Sequence, residues 1–129
     1  MVKLVFVAYR KKGMTHEEYV ERLKVHAELV MTVKDVTRMR KYVQVHPLPG
    51  DANVQFLAAR GMTLDDMPDG MAEVWWDSVE DMYAGFSGEE GAKAAQLLVE
   101  DEARFLDVDR CIAFLADDKV IFDFGHERA

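Results

Sequence analysis

Cysteine is all but missing from this chain. Cys111 stands alone, so no internal disulfide, no Cys-x-x-Cys redox pair and no thiolate zinc cage can form within it. Long hydrophobic runs are missing too. The apolar stretch at residues 4–9 is far short of the ~18–20 residues of a membrane span, and no signal-type segment follows the basic residues Lys3, Arg10, Lys11 and Lys12. The expectation is a soluble cytoplasmic protein with no membrane partner. Serine is reduced to Ser78 and Ser87, both at helix N-cap positions and neither in a Gly-x-Ser-x-Gly elbow, which argues against a serine hydrolase. Gly85, Gly88 and Gly91 follow no strand and sit beside Glu89 and Glu90, whose charge would repel a phosphate, so a nucleotide-binding loop is rejected. His16, His26, His46 and His126 include no pair at helical ligand spacing. Neither a metal nor a cofactor is therefore expected. A basic surplus is also lacking: the net charge is −8, which speaks against nucleic acid as a partner.

What is present fits one domain over residues 1–129, half hydrophobic and 31% charged, enough to bury a core. The charge is unevenly spread. Residues 1–46 hold ten Lys and Arg against five acids, whereas residues 65–109 hold two against fourteen, so elements of the two halves are expected to pack together.

Residues 2–9 read as a first strand, nearly covered on both faces. Thr15 and Glu18 then form a capping box for a helix reaching about residue 31. Its stripe of Tyr19, Leu23, His26 and Val30 falls at offsets of 0, 4, 7 and 11, which places the four side chains within about 60° of one another. Residues 37–46 read as a strand with Tyr42, Gln44 and His46 on one face and Lys41, Val43 and Val45 on the other. Residues 47–68 read as a long binding loop with a single turn at 63–67. A third strand at 71–76 sets Glu73 and Trp75 opposite Val74 and Trp76, and two helices follow, one from about Ser78 and one over 91–106 with a Ser87-x-x-Glu90 cap. Strands at 108–116 and 119–124, joined across Asp117 and Asp118 as a hairpin, complete the pattern. This order predicts an α+β fold of the ferredoxin-like, split-βαβ kind, an antiparallel sheet with helices on one face. The bare face, carrying Val43, Val45 and one Trp, predicts sheet-to-sheet pairing in a homodimer.

His26, in the middle of an apolar stripe, is either a satisfied core residue or a tuned acid–base group. His46, Tyr42 and Gln44 on one strand face favour a pocket, because a core normally uses apolar residues where a sheet meets its helices. Asp101 and Glu102 flank the stripe of Leu98 and Phe105, so at least one carboxylate lies near the buried boundary or else on a solvated helix edge. Arg38 and Arg40 share the Tyr42 face if the strand extends that far back, and either could anchor an anionic substrate. Trp75 and Trp76 point to opposite faces, so one packs at the dimer sheet and the other can stack on a planar ligand.

Four segments carry a family resemblance. They are Met14-Thr15-x-Glu17-Glu18-Tyr19 with His26-Ala27-Glu28-Leu29, then Lys41-Tyr42-Val43-Gln44-x-His46, then Asp69-Gly70-Met71-Ala72-Glu73-Val74-Trp75-Trp76-Asp77-Ser78, and Asp101-Glu102-x-x-Phe105. In this order the chain resembles the EthD family of the dimeric α+β barrel superfamily. The resemblance implies a homodimer of ferredoxin-like subunits with a pocket between sheet and helices. It also implies cofactor-free chemistry of the polyketide cyclase, dehydratase or muconolactone-isomerase kind, with cofactor-free monooxygenases and accessory proteins of aromatic or ether catabolism as alternatives. The family's helix histidine carries over to His26 and its strand tyrosine and histidine to Tyr42 and His46. The expected reaction is proton transfer beside a carbonyl of a small aromatic, lactone or polyketide-like substrate, with His26, Tyr42 and His46 catalytic and Arg40, Gln44, Trp75 and Asp101 binding the substrate.

Overall fold

In the computed structural model, residues 1–63 and 65–125 are described. Strand β1 (Val2–Ala8), apolar apart from Lys3, takes an inner position in a four-stranded sheet, with Leu4, Phe6 and Ala8 toward the helices and Val5 and Val7 on the opposite face. It pairs with β3 (Gly70–Trp76) on one side and β4 (Ile112–Ala116) on the other, and β2 (Lys41–Val45) adds to the far edge of β3. The order β2-β3-β1-β4 is antiparallel throughout. This is the ferredoxin-like arrangement expected from the element order.

Helix α1 (His16–Val33) starts where the capping box predicts. Thr15 accepts from the Glu18 backbone N–H, and the Glu18 carboxylate accepts from that of Thr15. Its buried stripe is Tyr19, Leu23, His26, Val30 and Val33. Helix α4 (Gly88–Glu102) packs beside it on the same face of the sheet, burying Ala94, Leu98 and Asp101, while α3 (Val79–Gly85) closes the end nearest Trp76. Gly85 fits there because a Cβ would collide with the Thr37 backbone. The two charged halves meet as expected, through Lys3 with Glu73, Arg10 with Asp69, Arg22 with Asp101 and Arg38 with Asp81.

Four expectations are corrected. The second strand begins at Lys41, not at residue 37. Thr37 lies in the turn that ends α1, its hydroxyl donating to the Val33 carbonyl at 2.7 Å, and Arg38 adopts a left-handed φ of 63°, which breaks the extension. The segment 47–68 is not an open loop: it holds α2 (Ala52–Ala59), which has no buried residue. Helix α2 ends in a Schellman motif, with Gly61 at φ 69° and the Met62 N–H donating to the Leu57 carbonyl. Of the turn expected at 63–67, Leu64 lies outside the described residues, and Asp65 and Asp66 do form a turn. The last helix runs over 88–102 in place of 91–106, and Ser87 makes no side-chain cap bond, its hydroxyl donating instead to the Tyr83 carbonyl.

The fourth correction is the terminal hairpin. Strand β4 is shorter than expected, and 119–124 is not a strand. Asp117 and Asp118 lack the Gly or Asn that a two-residue hairpin turn needs, and Asp118 is drawn to Lys3 at 2.7 Å rather than into a turn. His126 lies outside the described residues. Among the described residues, no helix is long and apolar enough to cross a membrane.

Candidate active site

Because cross-strand partners project to the same side of an antiparallel sheet, Leu4, Val74 and Tyr42 share the helix-covered face, while Val5, Glu73 and Val43 share the other. Between the covered face and helices α1 and α4 lies a cavity of about 310 Å³. Its walls are Leu4, Phe6, Val74 and Trp76 from the sheet and Val30 and Leu98 from the helices. Only a few polar side chains break this lining, chiefly His26, Tyr42 and Glu102. An apolar chamber with a few convergent polar groups is the usual form of a small-molecule site.

His26 comes from the middle of the α1 stripe and is 7% exposed. Its Nδ1 lies 2.8 Å from Oδ2 of Asp101, on α4, and its Nε2 lies 3.7 Å from Oε2 of Glu102. The Phe105 ring packs against it at 5.6 Å between centroids. Asp101 sits behind the imidazole and does not line the cavity. Arg22 and Arg104 both donate to its other oxygen, at 3.0 and 3.1 Å. Burial pushes the Asp101 carboxyl up, but the His26 hydrogen bond and charge, with Arg104 and Arg22, outweigh it and hold the group below its ordinary value. An ionised Asp101 only accepts, so the proton of a neutral His26 sits on Nδ1 and the lone pair on Nε2.

Glu102, one residue on, experiences the reverse. Burial and the neighbouring Asp101 charge push its carboxyl up to about 7. Tyr42 reaches the cavity from β2, and burial raises its phenol too. Its oxygen accepts from Gln44 Nε2 at 3.0 Å, which leaves the Tyr42 O–H free to donate.

The expected site residues thus separate. His26 and Tyr42 line the cavity, Asp101 braces His26, and Gln44 touches Tyr42. His46 does not reach the cavity: it is exposed just past the end of β2 and hydrogen-bonds to Gln44 Oε1 at 3.1 Å. Arg40 lies outside as well, 3.5 Å from Asp77 and 59% exposed. Of the two tryptophans, Trp76 lines the cavity and Trp75 points away from it, its ring lying under Lys3 and Lys41 at 5.2 and 4.7 Å. Residues 70–76 alternate without a bulge, so the two cannot share a face. Glu102 is the polar residue whose place in the site could not be read from the pattern, since the helix-edge argument left it equivalent to Asp101.

The family model described as EthD domain matches residues 11–109. No curated protein matches the chain in sequence. Among solved structures, it is similar to an EthD family protein from Bacillus halodurans, at 15% identity and a TM-score of 0.59, over 92% of this chain and 99% of that one. A dimeric ferredoxin-like protein from Bacteroides fragilis matches at 10% identity and 0.58, over 91% and 95%. The hydroxynitrile lyase of Passiflora edulis matches at 10% identity and 0.54, over 92% and 95%.

Proposed function

The chain belongs to the EthD family, and from that membership and the surroundings of His26 we propose that it is a cofactor-free lyase or isomerase moving a proton beside a carbonyl. The observation that carries this reading is the buried imidazole tied at Nδ1 to Asp101 at 2.8 Å while the ring lines an apolar cavity. A lyase stands among the structural neighbours, in keeping with it.

The steps follow from the groups present. A small aromatic, lactone or polyketide-like ketone fits the apolar walls, which exclude water and strengthen every polar contact inside. His26 Nε2 removes the proton from the carbon next to the carbonyl, and the positive charge that develops on the ring is stabilised by Asp101. Tyr42 donates its O–H to the oxygen on which negative charge accumulates. Asp101 acts as a positioning residue, holding ring and tautomer. Cyclisation, isomerisation or loss of water can each follow from the resulting enolate. Arg40, His46 and Trp75 have no part in this scheme because none of them lines the cavity.

The same reading includes a second copy of the chain across the uncovered sheet face, where Val45, Ile112 and Phe114 are 39%, 54% and 50% exposed. The Bacteroides fragilis neighbour is described as dimeric.

The direct test is exchange of the protons beside the carbonyl of phenylacetone in deuterated water, followed by NMR. The protein is expected to accelerate it, and His26→Gln to lower the rate ~10²–10⁴-fold with the fold intact, the usual worth of general acid–base catalysis. Quenching of Trp76 fluorescence reports ligand entry separately. A His26→Gln protein that exchanges as fast as the native one would remove His26 as the base, and a native protein that gives no acceleration would leave the cavity as a binding site without chemistry.

A further inference from the structure

Among the described residues, Glu102 is the one carboxyl group on the cavity wall, and the scheme above leaves it idle. Its Oε2 lies 3.7 Å from His26 Nε2, just beyond hydrogen-bond length, and its side chain is 27% exposed. It stands on the last turn of α4, immediately after Asp101, so the two carboxyl groups face opposite nitrogens of one imidazole, Asp101 in a hydrogen bond and Glu102 just outside one. We propose that Glu102 is the acid of this site, giving its proton to the carbonyl oxygen of the substrate while His26 takes the proton from the adjacent carbon. The inference rests on the reading of His26 as the base and deepens it.

The cycle balances without an outside proton. The carbon–hydrogen bond breaks, its proton goes to His26 Nε2, and its electron pair becomes the new carbon–carbon double bond. The carbonyl π pair forms the bond between oxygen and the Glu102 proton, so the product is a neutral enol. An imidazolium and a carboxylate then face each other, and the proton on Nε2 passes to Glu102 to restore both.

The surroundings supply a reason for Glu102 to hold a proton near neutrality. Burial and Asp101 raise its carboxyl to about 7, whereas the Asp101 carboxyl is held low. Two neighbouring acids driven apart in this way is a recurrent sign of divided acid and base roles. The groups facing Glu102 are His26 from α1, Tyr42 from β2, Asp101 on its own helix and Cys111 just before β4, with Arg22 and Arg104 spent on Asp101. No cation is paired with Glu102 among the described residues except His26 when charged.

Phenylacetone exchange in the full-length protein tests this alongside infrared spectroscopy of the carboxyl groups. Glu102→Gln keeps size and hydrogen bonding but has no proton to give, so exchange should fall at least ~10²-fold, and Glu102→Asp should recover most of it. The native rate should fall as the pH rises through about 7, and the residual Glu102→Gln rate should lack that limb. A protonated-carboxyl band titrating in the same range should vanish in Glu102→Gln. A variant as fast as the native protein, with the same alkaline limb, overturns the proposal while leaving His26 as base, and so does absence of the carboxyl band. Failure of the His26 reading is distinct: His26→Gln would then exchange normally.

Discussion

Asp101 and Glu102 are consecutive in sequence, yet folding moves their carboxyls in opposite directions, and each direction has a consequence for stability. Asp101 ionises more readily in the folded state than its ordinary 3.8. Its contribution is therefore present above that value and lost as the pH falls through the lower folded value. Asp69, buried and bonded to Arg10 and His16, behaves alike, so unfolding by acid should set in below about pH 4. Asp101→Asn, which leaves Arg22 and Arg104 without a charged partner, should cost about 2–3 kcal/mol at pH 7 in urea denaturation. Glu102 has the opposite sign. The folded protein keeps a proton that the unfolded chain releases at its ordinary 4.5, so this contribution is complete below that pH and fades as the pH rises through about 7. Glu102→Gln removes the cost of ionising a carboxyl there, and above pH 7 it should be more stable than the native protein, on the order of 2 kcal/mol. Equal stabilities at pH 8.5 would mean that the carboxyl ionises without penalty.

At the scale of elements, the two Ser/Thr-x-x-Glu signals offer a controlled comparison. Thr15 closes both bonds of its box, whereas Ser87 bonds backward to Tyr83 and leaves the α4 amides uncapped by its side chain. Thr15→Ala should cost about 1 kcal/mol of stability and Ser87→Ala much less at the helix end itself, read as the difference between their denaturation midpoints. Sequence spacing showed both motifs, but only the chain's approach to α4, over the end of α3, determines where the Ser87 hydroxyl turns. The junction of α1 with β2 is the second case. Trp76 Nε1 donates to the Thr37 carbonyl at 2.7 Å, and Gly85 presses on that same residue's backbone. Gly85→Ala should cost upwards of about 3 kcal/mol, since backbone rather than a mobile side chain stands in the way.

For the whole molecule, the unpaired feature is the outer sheet face. Val43, Val45, Ile112 and Phe114 lie with Val5 and Val7 on one side of the sheet, and among the described residues no helix covers them. Residues Val120, Ile121 and Phe122 beyond β4 are more than 70% exposed. A partner that hides this face would remove apolar area at about 25 cal/mol per Å². Sedimentation at micromolar concentration is expected to give a mass near twice 14.7 kDa, and Phe114→Glu to shift it toward the single chain without loss of the cavity. A native protein sedimenting as one chain would show the face to be solvated.

Much was legible because period and capping are local properties. The α1 stripe, the inward direction of His26, the opposite projection of Trp75 and Trp76 and the ferredoxin-like order all follow from offsets of 3.6 and 2.0 residues and from cap chemistry. Even α2 carried a signal, a run of helix formers ending before Gly61, overshadowed by the prolines around it. What the pattern could not determine is every property that depends on distance across the chain. Which of two adjacent carboxylates bonds Nδ1 and which meets Nε2 is settled by the rotation of α4 against α1. Which tryptophan enters the cavity depends on which sheet face the helices cover. That Arg40 turns to Asp77 and that His46 stays exposed beyond the end of β2 are likewise matters of tertiary position. Local spacing determines which side chains share a face, and only packing between segments some 75 residues apart, as His26 and Asp101 are, brings those faces together as a site.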